Sequence, residues 1–266
     1  MKEILAGIRI KNKSEILPLC LQALAFQTKK NFDIFIYDES DVPVTDHYPV
    51  RLAMDHLQLH HQIDIHHQRR MESKNVADAL IKLLDYTVDK KYDYLLMLDS
   101  DMILTPTCLE KMEWELKHSP TIYVEPTVID INNALGHSDY SIKKYTSREL
   151  RKQPRWAKNH LYTKNSLHIP RTTTTASVPL IDFVHFKLHN EIDNKIDDIK
   201  RDLVKLQTKY PSGVGEDIVM YYHLTKDRKG MLYTGALAYH YSHTESQRDW
   251  YNISRQVQEL ITKGEL

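Results

Sequence analysis

Cysteine is nearly absent from this chain of 266 residues; only Cys20 and Cys108 occur. That excludes a small scaffold stapled by disulfides, and the lack of any C-x-x-C pair argues against a zinc–thiolate site. Both cysteines sit in apolar stretches, so two buried, reduced thiols are expected. Glycine is scarce too, at seven residues, which excludes a collagen-like chain. No apolar run approaches the roughly 20 residues that a membrane-spanning helix needs. The opening MKEILAGIRIKNK meets Arg9 too early to be a secretory leader, so a cytoplasmic protein is expected. An excess of either charge is missing as well. Lys+Arg and Asp+Glu each number 36, which argues against a wholly basic nucleic-acid binder.

What is present is the mixture of an ordinary globular protein, 41% hydrophobic and 27% charged. A chain this long buries roughly three quarters of its unfolded surface, so it needs no covalent staples. No fixed repeat runs through it, so a solenoid is excluded. Ile4 to Ile10 is a short apolar run broken by Arg9 and followed by Lys11-Asn12-Lys13, a buried strand and its exit loop. Ser14 is a fair N-cap for a helix to about Gln27, with Leu17, Leu21, Leu24 and Ala25 at helical spacing. FDIFIY, from Phe32 to Tyr37, is a second strand that ends in Asp38. Ile63 to His67 is a weaker third strand, and Asn75 to Tyr86 a second helical stripe.

Tyr92 to Leu98 is the clearest buried strand, and it runs straight into Asp99-Ser100-Asp101. A helix from Thr107 to Leu116 and a strand from Thr121 to Val124 follow. Strand and helix therefore alternate through the first half, which predicts an α/β fold with a mostly parallel sheet covered on both faces. Ligands of such sheets bind beyond the carboxyl ends of the strands, where Asp38 and the Asp99/Asp101 pair fall. In the second half, Val178 to Phe186 reads as a strand. Leu188, Ile192, Ile196, Ile199, Leu203 and Leu206 mark a long amphipathic helix over 187–210, ended by Pro211, whose stripe is expected to pack inside the same chain. A last strand, Met231 to Tyr239, finishes in His240-Tyr241-Ser242-His243, and a helical tail follows.

Asp99 and Asp101, one residue apart at a strand end, can share a hard cation such as Mg²⁺ or Mn²⁺ together with a substrate diphosphate. A solvated acidic turn is the plainer alternative. Glu216-Asp217 follows Gly213 and Gly215 at a helix start, where acids suit the macrodipole but can also serve as a general base. His240 and His243 are candidates for a further metal ligand.

In this order, a strand ending at Asp38, YDYLLMLDSDMIL, GVGEDIVMYYH and a strand closing on YHYSH, the chain resembles the GT-A glycosyltransferases, especially the family-two type, over about residues 3–130 and 176–245. The resemblance implies a Rossmann-like nucleotide-sugar-binding half, residues 1–130, and an acceptor-binding half, residues 131–266, within one continuous domain. It implies a nucleotide-sugar donor, usually a UDP-sugar, and Mn²⁺ or Mg²⁺. Carried over residue by residue, Asp38 contacts the base and Arg69 or Arg70 the donor phosphates. Asp101 binds the metal, with Asp99 on the donor ribose or sugar. Asp217, or else Glu216, is the base of an inverting displacement, and His240 or His243 completes the metal site. The first strand departs from the family pattern by ending in Ile10-Lys11-Asn12 rather than in small or hydroxyl residues.

Between the halves, residues 143–171 carry nine Lys or Arg (Lys143, Lys144, Arg148, Arg151, Lys152, Arg155, Lys158, Lys164, Arg171) against the single acid Glu149, interleaved with Tyr145, Trp156 and Tyr162. Such runs are commonly solvated loops, but basic residues mixed with aromatics also make a polyanion footprint. A phosphate-bearing acceptor is therefore expected. The chain is compatible with the phage glycosyltransferases that modify hydroxymethylated pyrimidines in DNA; an anionic cell-surface glycan or teichoic acid is the rival acceptor. A sugar-phosphate nucleotidyltransferase would carry a glycine-rich loop after the first strand, where this chain has KNKSEILPL. A non-catalytic nucleic-acid-binding protein would use the basic segment and have no need of Asp99 and Asp101.

Overall fold

The computed structural model describes residues 2–70, 76–118, 123–130, 180–182, 192–209 and 231–240, with Val219, His223 and Lys263. Among the described residues eight strands form one sheet: β1 (Ile4–Ile10), β2 (Phe32–Asp38), β3 (Ile65–Arg69), β4 (Tyr94–Asp99), β5 (Met102–Leu104), β6 (Tyr123–Asp130), β7 (Leu180–Asp182) and β8 (Met231–His240). Their order across the sheet is β3-β2-β1-β4-β7-β6-β8-β5. The first four run parallel, as alternation with helices requires. The remainder is mixed: β7 is antiparallel to β4 and β6, β8 is parallel to β6, and β5 is antiparallel to β8. The register of β6 on β8 breaks between Pro126 and Thr127, where proline has no N–H to give the ladder.

The helices among the described residues are α1 (Leu17–Ala25), α2 (Tyr48–His61), α3 (Val76–Asp89), α4 (Cys108–His118) and α5 (Ile192–Lys209). The pleat sorts the strand residues between two cores. Ile4, Ala6, Ile8, Phe32, Ile34, Ile36, Leu96 and Leu98 pack with residues of α1, α2 and α4. Leu5, Phe35, Tyr37, Leu95 and Met97 pack with α3 and α5. Gly7 faces α3 so closely that a Cβ there would come within 2.8 Å of the Leu83 side chain. Ile196, Ile199, Leu203 and Leu206 of α5 are all buried in this second core, so its stripe does pack within the chain. At roughly 1.5–3 kcal/mol for each large apolar side chain buried, the two cores dominate the fold's stability.

Several boundaries differ from the sequence reading. Helix α1 starts at Leu17, with Ile16 rather than Ser14 at its cap and no side-chain cap hydrogen bond; Pro18 in its first turn helps set the start. Helix α2 and strand β5 were not expected. Helix α2 buries Val50, Ala53 and Leu57 in the core, with Met54 packed against it half-buried, and β5 is three residues long. Cys20 and Cys108 are free and buried; burial pushes the Cys108 thiol up to about 12. Among the described residues no helix is long and apolar enough to cross a membrane.

Candidate active site

Strand β1 is the axis of the site. Its register sets Arg9 beside Asp99 on β4 and Ile10 beside Asp38 on β2, so two acids reach the carboxyl edge of the sheet on either side of one strand. The chain leaving β1 then ties both sides together. Asn12 adopts a positive φ of 52°, a left-handed conformation that asparagine tolerates better than most residues. Its backbone N–H donates to Ser40 Oγ at 2.9 Å and its side-chain amide to Asp41 Oδ2 at 2.9 Å, and Asp41 N–H donates back to Asn12 Oδ1 at 2.9 Å. The next residue, Lys13, reaches the other way to Asp101.

Asp38 is fully buried. Its Oδ1 accepts from the Ser40 N–H and its Oδ2 from the Val44 N–H, both at 2.9 Å, and His67 Nε2 lies 3.1 Å from Oδ2. Burial alone would raise its pKa, but the His67 hydrogen bond and those two amides outweigh that and hold it below the ordinary value. Arg69 donates to the Asp41 carbonyl at 2.8 Å. Arg70 donates to the Tyr37 hydroxyl and lies 3.3 Å from Asp78 on α3, while its backbone N–H bonds the Asp38 carbonyl. Both arginines thus stand at the β2/β3 end of the site.

The other end is built from longer-range pairs. Asp99, the last residue of β4, receives Arg9 Nη2 on Oδ1 at 2.7 Å. Ser100 and Asp101 form the turn into β5. Asp101 is buried, its side chain only 3% exposed, and its Oδ2 lies 2.6 Å from Lys13 Nζ and 3.5 Å from His240 Nε2. Burial would raise its pKa; the His240 hydrogen bond and the Lys13 charge reverse the sign and hold the carboxyl well below the usual range. His240 gets there because Met102 of β5 is paired with His240 of β8.

Among the described residues no three His, Cys, Asp or Glu side chains converge as a ready metal cluster. The donor set nevertheless fits a hard divalent ion in part. A buried carboxylate oxygen and an imidazole nitrogen stand 3.5 Å apart, near enough for one ion to bridge, and a cation already rests on that oxygen. Asp99 is turned toward Arg9. Asp217, Glu216, His243 and the basic segment 143–171 lie outside the described residues. Arg9 and Lys13 escaped the sequence reading as site residues. The signal for Arg9 was its place, a charge one step from the end of an otherwise apolar strand; nothing distinguished Lys13 from its neighbours Lys11 and Asn12.

Residues 7–175 match the model of the family described as glycosyl transferase family 2. No curated protein sequence matches the chain. Among solved structures, S. aureus TarS is similar at 13% identity with a TM-score of 0.58, covering 97% of this chain and 39% of that one. Its residues 1–349 in complex with UDP-GlcNAc align at 11% identity and a TM-score of 0.58, covering 97% of this chain and 66% of that one. A mannosyltransferase, PcManGT from Pyrobaculum calidifontis in complex with GDP-Man and Mn²⁺, aligns at 10% identity and a TM-score of 0.56, covering 99% and 64%. This chain therefore spans less than two thirds of each of these proteins, and at such identities the likeness is one of fold: GT-A, a mixed α/β sheet.

Proposed function

The chain belongs to glycosyl transferase family 2, and from that premise we propose that it moves a sugar from a nucleoside-diphosphate donor, a UDP-sugar first among them, to a hydroxyl on a phosphate-bearing polymer. The observation that carries the proposal is the meeting of Asp101, just past β4, with His240, the last residue of β8, beside an Arg9-held Asp99. The nucleotide-sugars named with the similar structures support the donor class.

Asp101 and His240 are the residues that would hold Mn²⁺ or Mg²⁺, with His243 the alternative imidazole. Bound there, the ion supplies positive charge against the leaving diphosphate. Arg9 fixes the orientation of Asp99, which is left to meet the donor ribose or sugar. Asp38 shapes the 39–44 segment that walls the nucleotide's base, and Arg69 and Arg70 stand at the same end for its phosphates. Asp217, with Glu216 the alternative, takes the proton from the acceptor hydroxyl, and a single displacement inverts the anomeric centre. Segment 143–171 supplies the charge that a phosphate backbone requires. Hydroxymethylated DNA is the acceptor that this reading favours.

The test has two parts. A panel of nucleotide-sugars with Mn²⁺ is read for free nucleoside diphosphate, whose absence with every donor defeats the proposal. Transfer to hydroxymethylcytosine DNA is then followed at rising salt and should decline steeply. Transfer to teichoic acid alone, or transfer indifferent to salt, overturns the acceptor assignment and leaves the donor chemistry standing.

A further inference from the structure

Two cations serve the two carboxylates at the end of β4, and they are mounted differently. Arg9 is part of β1, in register with Asp99, so its backbone cannot leave. Lys13 sits beyond the strand, on a backbone pinned one residue earlier by the Asn12 hydrogen bonds. Its side chain is 39% exposed, while that of its partner Asp101 is only 3% exposed. A lysine ammonium is a compact point charge on a flexible stem. At 39% against 15% side-chain exposure for Arg9, it is therefore the more readily released of the two.

Lys13 Nζ also occupies a particular place. It touches Oδ2, the same oxygen that faces His240 Nε2. A divalent ion bridging Asp101 and His240 and an ammonium 2.6 Å from that oxygen would be like charges pressed against one atom. A buried carboxylate left with no cation is costly in turn. Exchange of one cation for the other meets both demands.

We infer that Lys13 is an internal stand-in for the divalent ion: it neutralises Asp101 while the donor site is empty, and yields that oxygen to the metal when the donor arrives, turning its ammonium to the diphosphate. This rests on the metal reading above and adds to it a residue that couples metal binding to donor binding. Without a diphosphate, Lys13 competes with the metal; with one, it becomes part of the anion's cradle.

The first measurement is a calorimetric titration of Mn²⁺ alone into the full chain. K13M and K13Q should bind Mn²⁺ roughly five- to tenfold more tightly than the unaltered protein, the factor expected for removing one partly exposed competing ion pair. D101N should bind it far more weakly. The second measurement needs no variant. Acetylation by an N-hydroxysuccinimide ester, read at Lys13 by peptide mass spectrometry, should rise several-fold on adding Mn²⁺ and fall again when inorganic pyrophosphate is added with it. Equal Mn²⁺ affinity in all three lysine forms, with Lys13 acetylation unmoved by Mn²⁺, overturns the exchange while the metal site stands. No Mn²⁺ binding to any form removes the metal site, and the exchange with it.

Discussion

The ends of β2 and β4 carry the same signal, an apolar strand running into aspartate, and the fold holds the acids at the two ends in different ways. Asp38 is held chiefly by backbone: the Ser40 and Val44 N–H groups close on it from a segment only six residues long, and the His67 side chain of β3 joins them on Oδ2. Asp99 and Asp101 are held by side chains that come from other strands, Arg9 from β1, His240 from β8, and Lys13 from the loop after β1. Amides fixed in a turn cannot be exchanged for a ligand without unfolding the turn, whereas side-chain cations can be traded for another cation. A strand-end carboxylate fastened largely by main chain suits anchoring a turn; under the proposed function, one met by distant side chains is the one placed for chemistry.

The contrast is sharpest at Asp101. D101N should lower sugar transfer by about 10²–10³-fold, as for loss of a group that holds the charge-stabilising ion, more than the fall in thermal midpoint from breaking its Lys13 and His240 pairs accounts for. An equal loss of activity in D38N at full folding would break the comparison. D38A should act on stability, costing about 2–4 kcal/mol in denaturant titration, because it strands two buried N–H groups and His67. R9K, which keeps the charge but loses the planar fork on Asp99, should cost about tenfold in transfer with donor KM affected more than stability. The smallest effect is in acid. Both Asp38 and Asp101 are held below the ordinary value of 3.8, so the stability they contribute is complete above that pH and drains away as pH falls beneath it. D38N should flatten the acid limb of a stability–pH curve measured by urea midpoint.

Much of the fold could be read from the chain. FDIFIY and, from Tyr94 on, YLLML are strands with few alternatives, and the stripe of α5 was visible from Ile196 to Leu206. Helix α2 escaped because most of its residues are polar or exposed and its sequence is rich in histidine. Strand β5 escaped because three residues carry no period. Of the site, the acids were legible and their partners were not. Arg9 pairs with a residue 90 positions away and Lys13 with one 88 positions away, and no local pattern encodes such a pairing.

Alternating apolar strands and helices, with aspartates where the strands stop, determined the layered α/β architecture and the edge of the sheet where chemistry is to be sought, because burial periodicity and strand termination are local properties of the chain. Which side chains meet Asp99 and Asp101 was decided by tertiary structure alone. Three-residue β5, pairing with β8, carries His240 to Asp101, and the turn at Asn12 sends Lys13 to the same oxygen. Both depend on strand order and register, which form only when distant segments share a core.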